Sequence, residues 1–406
     1  MGIKAVVLSD LHLGEYASIL CDQNPANPPS GVDLRLSINN AIDDLTNALF
    51  DLASNGGKES PVIHELILLG DALDLTLDES KDFRVSKDNI QSLLEAFTNR
   101  RLDIKSIVYI PGNHDYGFWT SAVEEENGGT PYLKCPNKTN YKIVEKNGNW
   151  YIDDKDPLNP SKPFQSCFLS YKVKVFYPFY TISLKNHFYM FHHGHLTSPL
   201  AVVGKDGNKL EKAEDVEELE SMVYPIVNRL WGTKAKEGRP KRFYRQVKEW
   251  FYKNIILPSG YIYQPLSTRL TPSLVWTYYK ADAQGVDTEE LKGNIKKFIE
   301  LCNVPKLPAF QDKDVTFHYV CGHTHYGGRK KNPFSFATKQ GNLYLWNTGG
   351  WICPEGMFPP YAFIFYISNN GSPGRCLLLN SKFQTDQKYY NPNILVQHGL
   401  VKNRVG

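Results

Sequence analysis

The sequence has no CxxC pair, no apolar run approaching 18 residues and almost no excess of charge. Its seven cysteines are an odd number without a recognisable spacing, so the chain does not read as a disulfide framework. The 46 basic and 43 acidic residues leave a net charge of +3, which alone requires neither nucleic acid nor a membrane as partner. The lack of a long apolar run predicts that no segment spans a membrane.

The beginning of the chain, MGIKAVVLSD, has too short an apolar run for a signal peptide and no small-residue cleavage site. We therefore expect a cytoplasmic protein. Its 406 residues are 41% hydrophobic and 22% charged, which suits a globular protein with a real core. That length allows one large domain or two ordinary ones.

The first part of the chain alternates strands with helices. Runs of β-branched and apolar residues predict strands at 3–8, 62–69 and 106–110. Apolar residues at helical spacing predict helices over 37–53 and 88–97. This alternation indicates an α/β fold, in which helices cover the faces of a sheet.

Two segments interrupt this pattern: one is polar with little periodicity, and the other is strongly helical with apolar stripes. The expected organisation is a first half of the core (1–115), an irregular insertion (116–165), core strands (166–200), a helical cap (201–312), a second half of the core (313–382) and a C-terminal tail (383–406). Further strands are expected at 315–321, 342–347, 361–367 and 375–380, with a hairpin turn at Lys185-Asn186.

Side chains of metal-binding type follow five of the predicted strands. They are Asp10 and His12, Asp71, Asn113 with His114 and Asp115, His193, and His323 with His325. Because strand ends in an open α/β sheet converge on one crevice, we expect these side chains to meet at one rim. A set with a shared carboxylate can hold two divalent cations about 3.5–4 Å apart. The mixed nitrogen and oxygen ligands suit Mn, Fe, Zn, Co or Ni better than Mg or Ca, and we favour manganese.

The blocks DLH (10–12), GDALD (70–74), GNHD (112–115), HG (193–194) and GHTH (322–325) resemble the five ordered motifs of the calcineurin-like metallophosphoesterases. The resemblance spans residues 10–325 but says little about the two insertions. It implies a two-sheet β-sandwich flanked by helices, here with an inserted helical cap. It also implies a metal-dependent hydrolase of phosphate esters or anhydrides.

The resemblance assigns two metal sites that share one aspartate. The first ion would be held by Asp10, His12, Asp71 and His325, and the second by Asp71, Asn113, His193 and His323. A hydroxide bridging the two metals would attack in line with the leaving group.

His114 would then be a catalytic residue outside the ligand set, with Asp115 orienting it. It would donate a proton to the leaving oxygen or stabilise charge on the phosphoryl group. Asp74 is expected to hold its loop or support a ligand rather than bind metal. His195 is expected either to reach the substrate phosphate or to support a ligand.

The motifs differ from those of several branches of the family. Protein Ser/Thr phosphatases carry GDxVDRG and GNHE, whereas this chain has GDALDL and GNHD, and purple acid phosphatases place a tyrosine where Asp74 stands. The order HG, GHTH and NTGGW resembles the UDP-2,3-diacylglucosamine pyrophosphatase-like branch. Those enzymes typically carry arginine where this chain has His114, so that substrate is a minority hypothesis.

Several functions remain open at this point. We favour a phosphorylated small molecule as substrate: a phosphodiester, a nucleotide or a pyrophosphate-linked metabolite. A nuclease would need a basic groove, for which the nine Lys and Arg residues between Asn228 and Ile256 are the one indication. A phosphomonoesterase is a further alternative. A non-catalytic protein-binding scaffold is a remote one, because such scaffolds lose ligands and none is missing here.

Overall fold

The computed structural model describes residues 3–13, 20, 40–54, 61–73, 83–115, 141–153, 165–198, 208–231, 289–323, 334–338, 341–351 and 363–377. Within these segments no helix has both the length and the apolar character needed to cross a membrane. The predicted C-terminal tail (383–406) and most of the basic run after Asn228 lie outside the described residues.

Two β-sheets form the centre of the molecule. The strands of the first are β1 (Ile3–Leu8), β2 (Val62–Leu69), β3 (Asp103–Ile110), β6 (Val173–Val175), β12 (Phe363–Ser368) and β13 (Pro373–Leu377). Their order across this sheet is β13-β12-β1-β2-β3-β6. Strands β1, β2, β3 and β6 run parallel, while β12 and β13 continue the sheet in antiparallel fashion.

The second sheet contributes the remaining strand ends. Its strands are β7 (Phe179–Leu184), β8 (His187–His192), β9 (Thr316–Cys321), β10 (Phe334–Thr338) and β11 (Gly341–Asn347). They are ordered β10-β11-β9-β8-β7, with β8, β9 and β11 parallel and the two edge strands antiparallel. The predicted turn at Lys185-Asn186 is confirmed, because it joins β7 to β8.

The two sheets pack face to face. Tyr189 of β8 and Trp346 of β11 lie against Phe365 of β12, with ring centroids 6.2 and 5.0 Å apart. The hydroxyl of Tyr180 on β7 donates a hydrogen bond of 3.2 Å to Glu65 on β2. Contacts of this kind between the sheets form the centre of a sandwich.

Helices lie along the sheets. They are α1 (Asn40–Ser54), α2 (Phe83–Asn99), α3 (Lys209–Lys212), α4 (Val216–Trp231), α5 (Glu289–Leu301) and α6 (Pro308–Gln311). Helices α1 and α2 contact each other, and α1 contacts β2. Helix α5 packs on the second sheet, where the ring of Phe298 lies 4.4 Å from that of His192. The two-sheet α/β sandwich flanked by helices is confirmed.

The segment 116–165, expected to be irregular, contains a β-hairpin. Strands β4 (Lys142–Lys146) and β5 (Asn149–Asp153) pair in antiparallel fashion. Asn147 and Gly148 join them with φ of 55° and 77°, the conformation that Asn-Gly adopts in a two-residue hairpin turn. This Asn-Gly signal, flanked by β-forming residues, is readable in the sequence, so the expectation of an irregular segment was wrong for residues 142–153.

Candidate metal centre

The loops that follow β1, β2 and β9 have unusual backbone conformations at the predicted ligands. Asp10, His12, Asp71 and His323 have φ of 52°, 47°, 49° and 71°, in the left-handed region. This region costs a non-glycine residue about 1–3 kcal/mol and is enriched at functional sites. The loops therefore hold these side chains in positions that relaxed turns would not give.

Backbone hydrogen bonds extend each sheet into these loops. The amide of Asp10 donates to the carbonyl of Gly70 (3.0 Å), and that of His12 donates to the carbonyl of Asp71 (2.8 Å). In the second sheet, the amide of Gly322 donates to the carbonyl of His193 (2.9 Å). The loops after neighbouring strands are thus fixed to one another.

Two further hydrogen bonds join the loops of the two sheets. Nδ1 of His193, after β8, bonds to the carbonyl of Leu69 at the end of β2 (3.1 Å). The amide of His323, after β9, donates to Oδ1 of Asp10 after β1 (2.8 Å). The rim of one sheet therefore faces the rim of the other, as the sequence predicts.

The first cluster of candidate ligands consists of Asp10, His12 and Asp71. Their ligand atoms all lie within 4.8 Å of one another, and all three residues are buried. Nε2 of His12 is 3.8 Å from Oδ2 of Asp71. Two carboxylates and one imidazole are a donor set that suits a divalent transition metal.

The second cluster consists of Asp71, His193 and His323, whose ligand atoms also lie within 4.8 Å of one another. Nε2 of His193 is 3.2 Å from Oδ2 of Asp71 and 3.0 Å from Oδ1 of Asn113. Asn113 therefore lies beside this cluster, where the resemblance places a ligand. Asp71 belongs to both clusters.

The two oxygens of Asp71 have different surroundings. Oδ1 accepts a hydrogen bond of 2.7 Å from the amide of His114, whereas Oδ2 is buried and lies 3.2 Å from Nε2 of His193 and 3.8 Å from Nε2 of His12. A buried carboxylate that has lost its water needs a proton or a cation beside it. The position of Oδ2 between Nε2 of His12 and Nε2 of His193 is the one that a shared metal ligand would take. The residues therefore fit a pair of divalent cations.

The charges of the residues around Asp71 support the same conclusion. Burial alone would raise the pKa of Asp71, but the imidazoles of His193, His114 and His12 hold it well below its usual value. Burial would likewise lower the pKa of His193, but the carboxylate of Asp71 raises it to about 9. The negative charge that gathers here is compensated by a proton on His193, and a bound cation would take over that compensation.

The hydrogen bond of His193 to Leu69 determines which ring nitrogen is available. A carbonyl oxygen can only accept, so Nδ1 carries the proton and Nε2 faces Asp71 and Asn113. A hydrogen bond of this kind, made by the distal nitrogen, is the usual support of a metal-binding histidine.

Glycines make room for three of the candidate ligands. An added Cβ at Gly70 would overlap the ring of His193, and one at Gly112 would overlap Oδ1 of Asp71. A Cβ at Gly322 would overlap Oδ2 of Asp10. The glycines of the GD, GN and GH blocks thus serve the packing of the site, a role for which a single sequence offers no direct signal.

Asp115 ties the loop after β3 to its surroundings. Its carboxylate accepts hydrogen bonds from the hydroxyl of Tyr109 (2.5 Å), the amide of Gly112 (2.5 Å) and the amide of Ala72 (3.1 Å). Burial and the nearby charge of Asp71 raise the pKa of Asp115 to about 7. These contacts hold the loop that carries Asn113. The predicted role of Asp115 in orienting the ring of His114 stays a prediction.

His114 and His195 both border the clusters. The ring of His114 meets that of His12 edge to face at 4.7 Å, and the residue is buried. The ring of His195 is 5.6 Å from that of His193. His325 and Asp74 lie outside the described residues, so their predicted roles stay predictions.

The sequence is similar to a known protein family. The sequence model of a family described as calcineurin-like phosphoesterase matches residues 3–258, more than half of the chain. No curated protein sequence matches the chain significantly. Among solved structures, the crystal structure of a dimetal phosphatase from Danio rerio is 13% identical with a TM-score of 0.37, over 93% of this chain and 96% of that chain. That structural similarity is too weak to support an argument, so the sequence match carries the assignment.

Proposed function

The chain belongs to the calcineurin-like phosphoesterase family, and we propose that it is a dinuclear member acting on a phosphodiester, a nucleotide or a pyrophosphate-linked small molecule. Family membership makes the protein a metal-dependent hydrolase of phosphate esters. The dinuclear centre and the substrate class are the proposal. The observation that supports it best is the membership of Asp71 in both ligand clusters.

The proposed ligand sets follow the two clusters. One ion would be held by Asp10, His12 and Asp71 with His325, and the other by Asp71, Asn113, His193 and His323. Divalent ions in such a pair supply Lewis acidity and an activated water. The mixture of imidazole nitrogens with carboxylate and amide oxygens suits Mn, Fe, Zn, Co or Ni better than Mg or Ca, and among these we favour manganese.

His114 is proposed as the residue that donates a proton to the leaving oxygen. Its ring lies against that of His12, and its amide is fixed by Oδ1 of Asp71. The imidazole is therefore close to the clusters without belonging to either of them. A general acid has to lie within hydrogen-bond reach of the substrate rather than bind the metal.

A small substrate is favoured by the helices that reach the site. Glu220 of α4 hydrogen-bonds to Tyr177, and Asn294 of α5 donates to the carbonyl of Thr197 (3.1 Å), close to His193 in the chain. Helices tied to the metal-site loop in this way would limit the room for a large substrate. A nuclease or a phosphomonoesterase of the same family is the alternative that the following assay separates.

The proposal is tested with protein depleted of metal and restored with Mn²⁺. Hydrolysis of bis-p-nitrophenyl phosphate is compared with that of p-nitrophenyl phosphate, for the wild type and for Asp71→Asn and His114→Ala. We expect preference for the diester and a loss of at least about 100-fold in both variants. His64→Ala, which changes an exposed histidine of β2, is the matched control and should keep full activity.

Each other outcome of this assay has a definite meaning. Preference for the monoester would replace the proposal by a phosphomonoesterase. Hydrolysis of single-stranded or duplex DNA at a higher kcat/KM than either small ester would favour a nuclease. Lack of turnover of all these substrates by protein that retains two ions would favour the scaffold alternative.

A further inference from the structure

His195 is a buried histidine beside the proposed metal ligands His193 and His323. Its ring lies 5.6 Å from that of His193 and 6.5 Å from that of His323. The residue is 1% exposed. It therefore lies in the wall of the site.

Two hydrogen bonds, from Glu220 of helix α4 through Tyr177, determine which ring nitrogen of His195 carries the hydrogen. The hydroxyl of Tyr177 donates its proton to Oε2 of Glu220, and the hydroxyl oxygen of Tyr177 lies 3.3 Å from Nε2 of His195. Because that hydroxyl has only one proton, it must accept from His195. Nε2 of His195 therefore carries the hydrogen, and Nδ1 is left with a lone pair.

Nδ1 of His195 is buried and has no hydrogen-bond partner among the described residues. A buried acceptor without a partner costs stability, and native proteins contain few of them. Tyr177 and Glu220 are also buried, so the hydrogen bonds that create this acceptor are not surface contacts. A buried acceptor that is held without a partner beside the proposed catalytic site points to a hydrogen-bond donor that binds there.

We propose that His195 is a substrate-positioning residue whose Nδ1 accepts a hydrogen bond from an O–H group in the cleft, and that Tyr177 and Glu220 hold it in the required tautomer. The inference rests on the proposed function, because the cleft concerned is that of the phosphoesterase. The O–H group belongs either to a hydroxyl of the substrate or to water. The two sources share the same hydrogen-bond chemistry.

These hydrogen bonds also connect helices α4 and α5 to the site. Glu220 lies on α4, and Asn294 on α5 fixes the carbonyl of Thr197, two residues after His195. Both helices thus set the position of the loop that carries His193 and His195. Helix α4, through Glu220 and Tyr177, thus also selects the tautomer of His195.

Two substitutions of His195 separate the roles of its nitrogens. In His195→Asn, the amide oxygen can take the position of Nδ1, whereas in His195→Gln the amide nitrogen can take that of Nε2 and the acceptor is lost. We expect His195→Gln to lower kcat/KM about tenfold for a p-nitrophenyl ester of a nucleotide, which carries a hydroxyl; this is the effect of one lost hydrogen bond. His195→Asn should retain more activity than His195→Gln, although it loses the contact with Tyr177.

The kinetic constants identify the source of the O–H group. If the O–H group is a hydroxyl of the substrate, His195→Gln loses a hydrogen bond that binds the substrate, so KM should rise. Because bis-p-nitrophenyl phosphate lacks such a hydroxyl, a p-nitrophenyl ester of a nucleotide is assayed beside it. A water used in the reaction would leave KM unchanged and lower kcat for both substrates. If His195→Gln matches the wild type and His195→Asn is the weaker variant, Nε2 alone matters and the inference is wrong. Unchanged kinetics in both variants, as for a nitrogen that only holds a structural water, would also overturn it.

The tautomer is measured directly, without reference to activity, by NMR of ¹⁵N-histidine-labelled metal-free protein. We expect His195 as the Nε2–H tautomer in the wild type and in Glu220→Gln, where a side-chain oxygen remains to accept from Tyr177. In Tyr177→Phe that preference should be lost. An Nδ1–H tautomer in the wild type would overturn the inference even if the enzyme is active. An inactive wild type with the expected tautomer would instead count against the proposed function alone.

Discussion

Asp71 and His193 face each other from different sheets, with Oδ2 of the aspartate 3.2 Å from Nε2 of the histidine. Asp71 follows β2 of the first sheet, and His193 follows β8 of the second. The site is therefore assembled by the packing of the sheets and cannot form in either sheet alone. Changes that move one rim relative to the other should act on metal binding before they unfold the protein.

Gly70→Ala should disturb the site directly. An alanine there would adopt φ near 75° and would place its Cβ against the ring of His193. We expect loss of bound metal and a stability decrease of more than about 1 kcal/mol, because both strain and overlap contribute. Metal content and thermal unfolding of the purified variant measure the two effects.

Gly148→Ala is the matched control for that substitution. Gly148 has φ of 77°, and a Cβ at this position would meet nothing within 4 Å. It should lower stability through backbone strain alone and leave the metal content unchanged. Equal metal loss in both variants would contradict the explanation based on His193.

Tyr109→Phe should loosen the loop that carries Asn113. The buried hydroxyl donates to Asp115, which is ionised above its pKa of about 7, and hydrogen bonds to charged groups contribute about 1.5–3 kcal/mol. We expect a stability loss near this range in denaturant unfolding. Tyr171→Phe, which removes an exposed hydroxyl bonded to Thr98, should cost less than about 1 kcal/mol. Similar losses in the two variants would show that the Asp115 contact contributes little.

His318 should make stability depend on pH. It accepts from Nε1 of Trp346 and bonds to His187, and burial together with His187 lowers its pKa from 6.5 to about 3. The unfolded chain binds a proton more readily than the folded one in this range. The stabilising effect is therefore complete above pH 6.5 and is lost as the pH falls towards 3.

The test of this pH dependence compares the wild type with His318→Gln by urea unfolding between pH 7 and 4.5. The wild type should lose stability more steeply, by up to about 1.4 kcal/mol per pH unit. Parallel curves for the two proteins would show that His318 is not the group responsible.

Much of the fold follows from local patterns. The strands at 3–8 and 62–69 are predicted residue for residue, since buried parallel strands are rich in β-branched and other apolar residues. Helix α2 extends beyond the predicted 88–97 to Phe83–Asn99, because its first five residues, FRVSK, show no clear helical pattern of apolar positions. Strand β6, with three residues, is too short to produce a pattern and exists through its pairing with β3.

The candidate site was predictable to a different extent. Polar residues after strands are visible in the sequence, and the structure brings Asp10, His12, Asp71, His193 and His323 together. The hydrogen-bond partners of the residues around the site could not be predicted from the sequence. Tyr177 and Glu220 belong to none of the sequence motifs, and only tertiary packing shows that Tyr177 contacts His195 and that Glu220 contacts Tyr177.

The central claim is a pair of metal ions that share Asp71, and it is tested most directly by counting the ions. Metal-depleted protein is equilibrated with Mn²⁺ and freed of unbound metal by gel filtration, and its metal content is measured by mass spectrometry. The account predicts about two ions per wild-type chain and at most about one in Asp71→Asn with the fold intact. A single ion in the wild type, or two in Asp71→Asn, would contradict it.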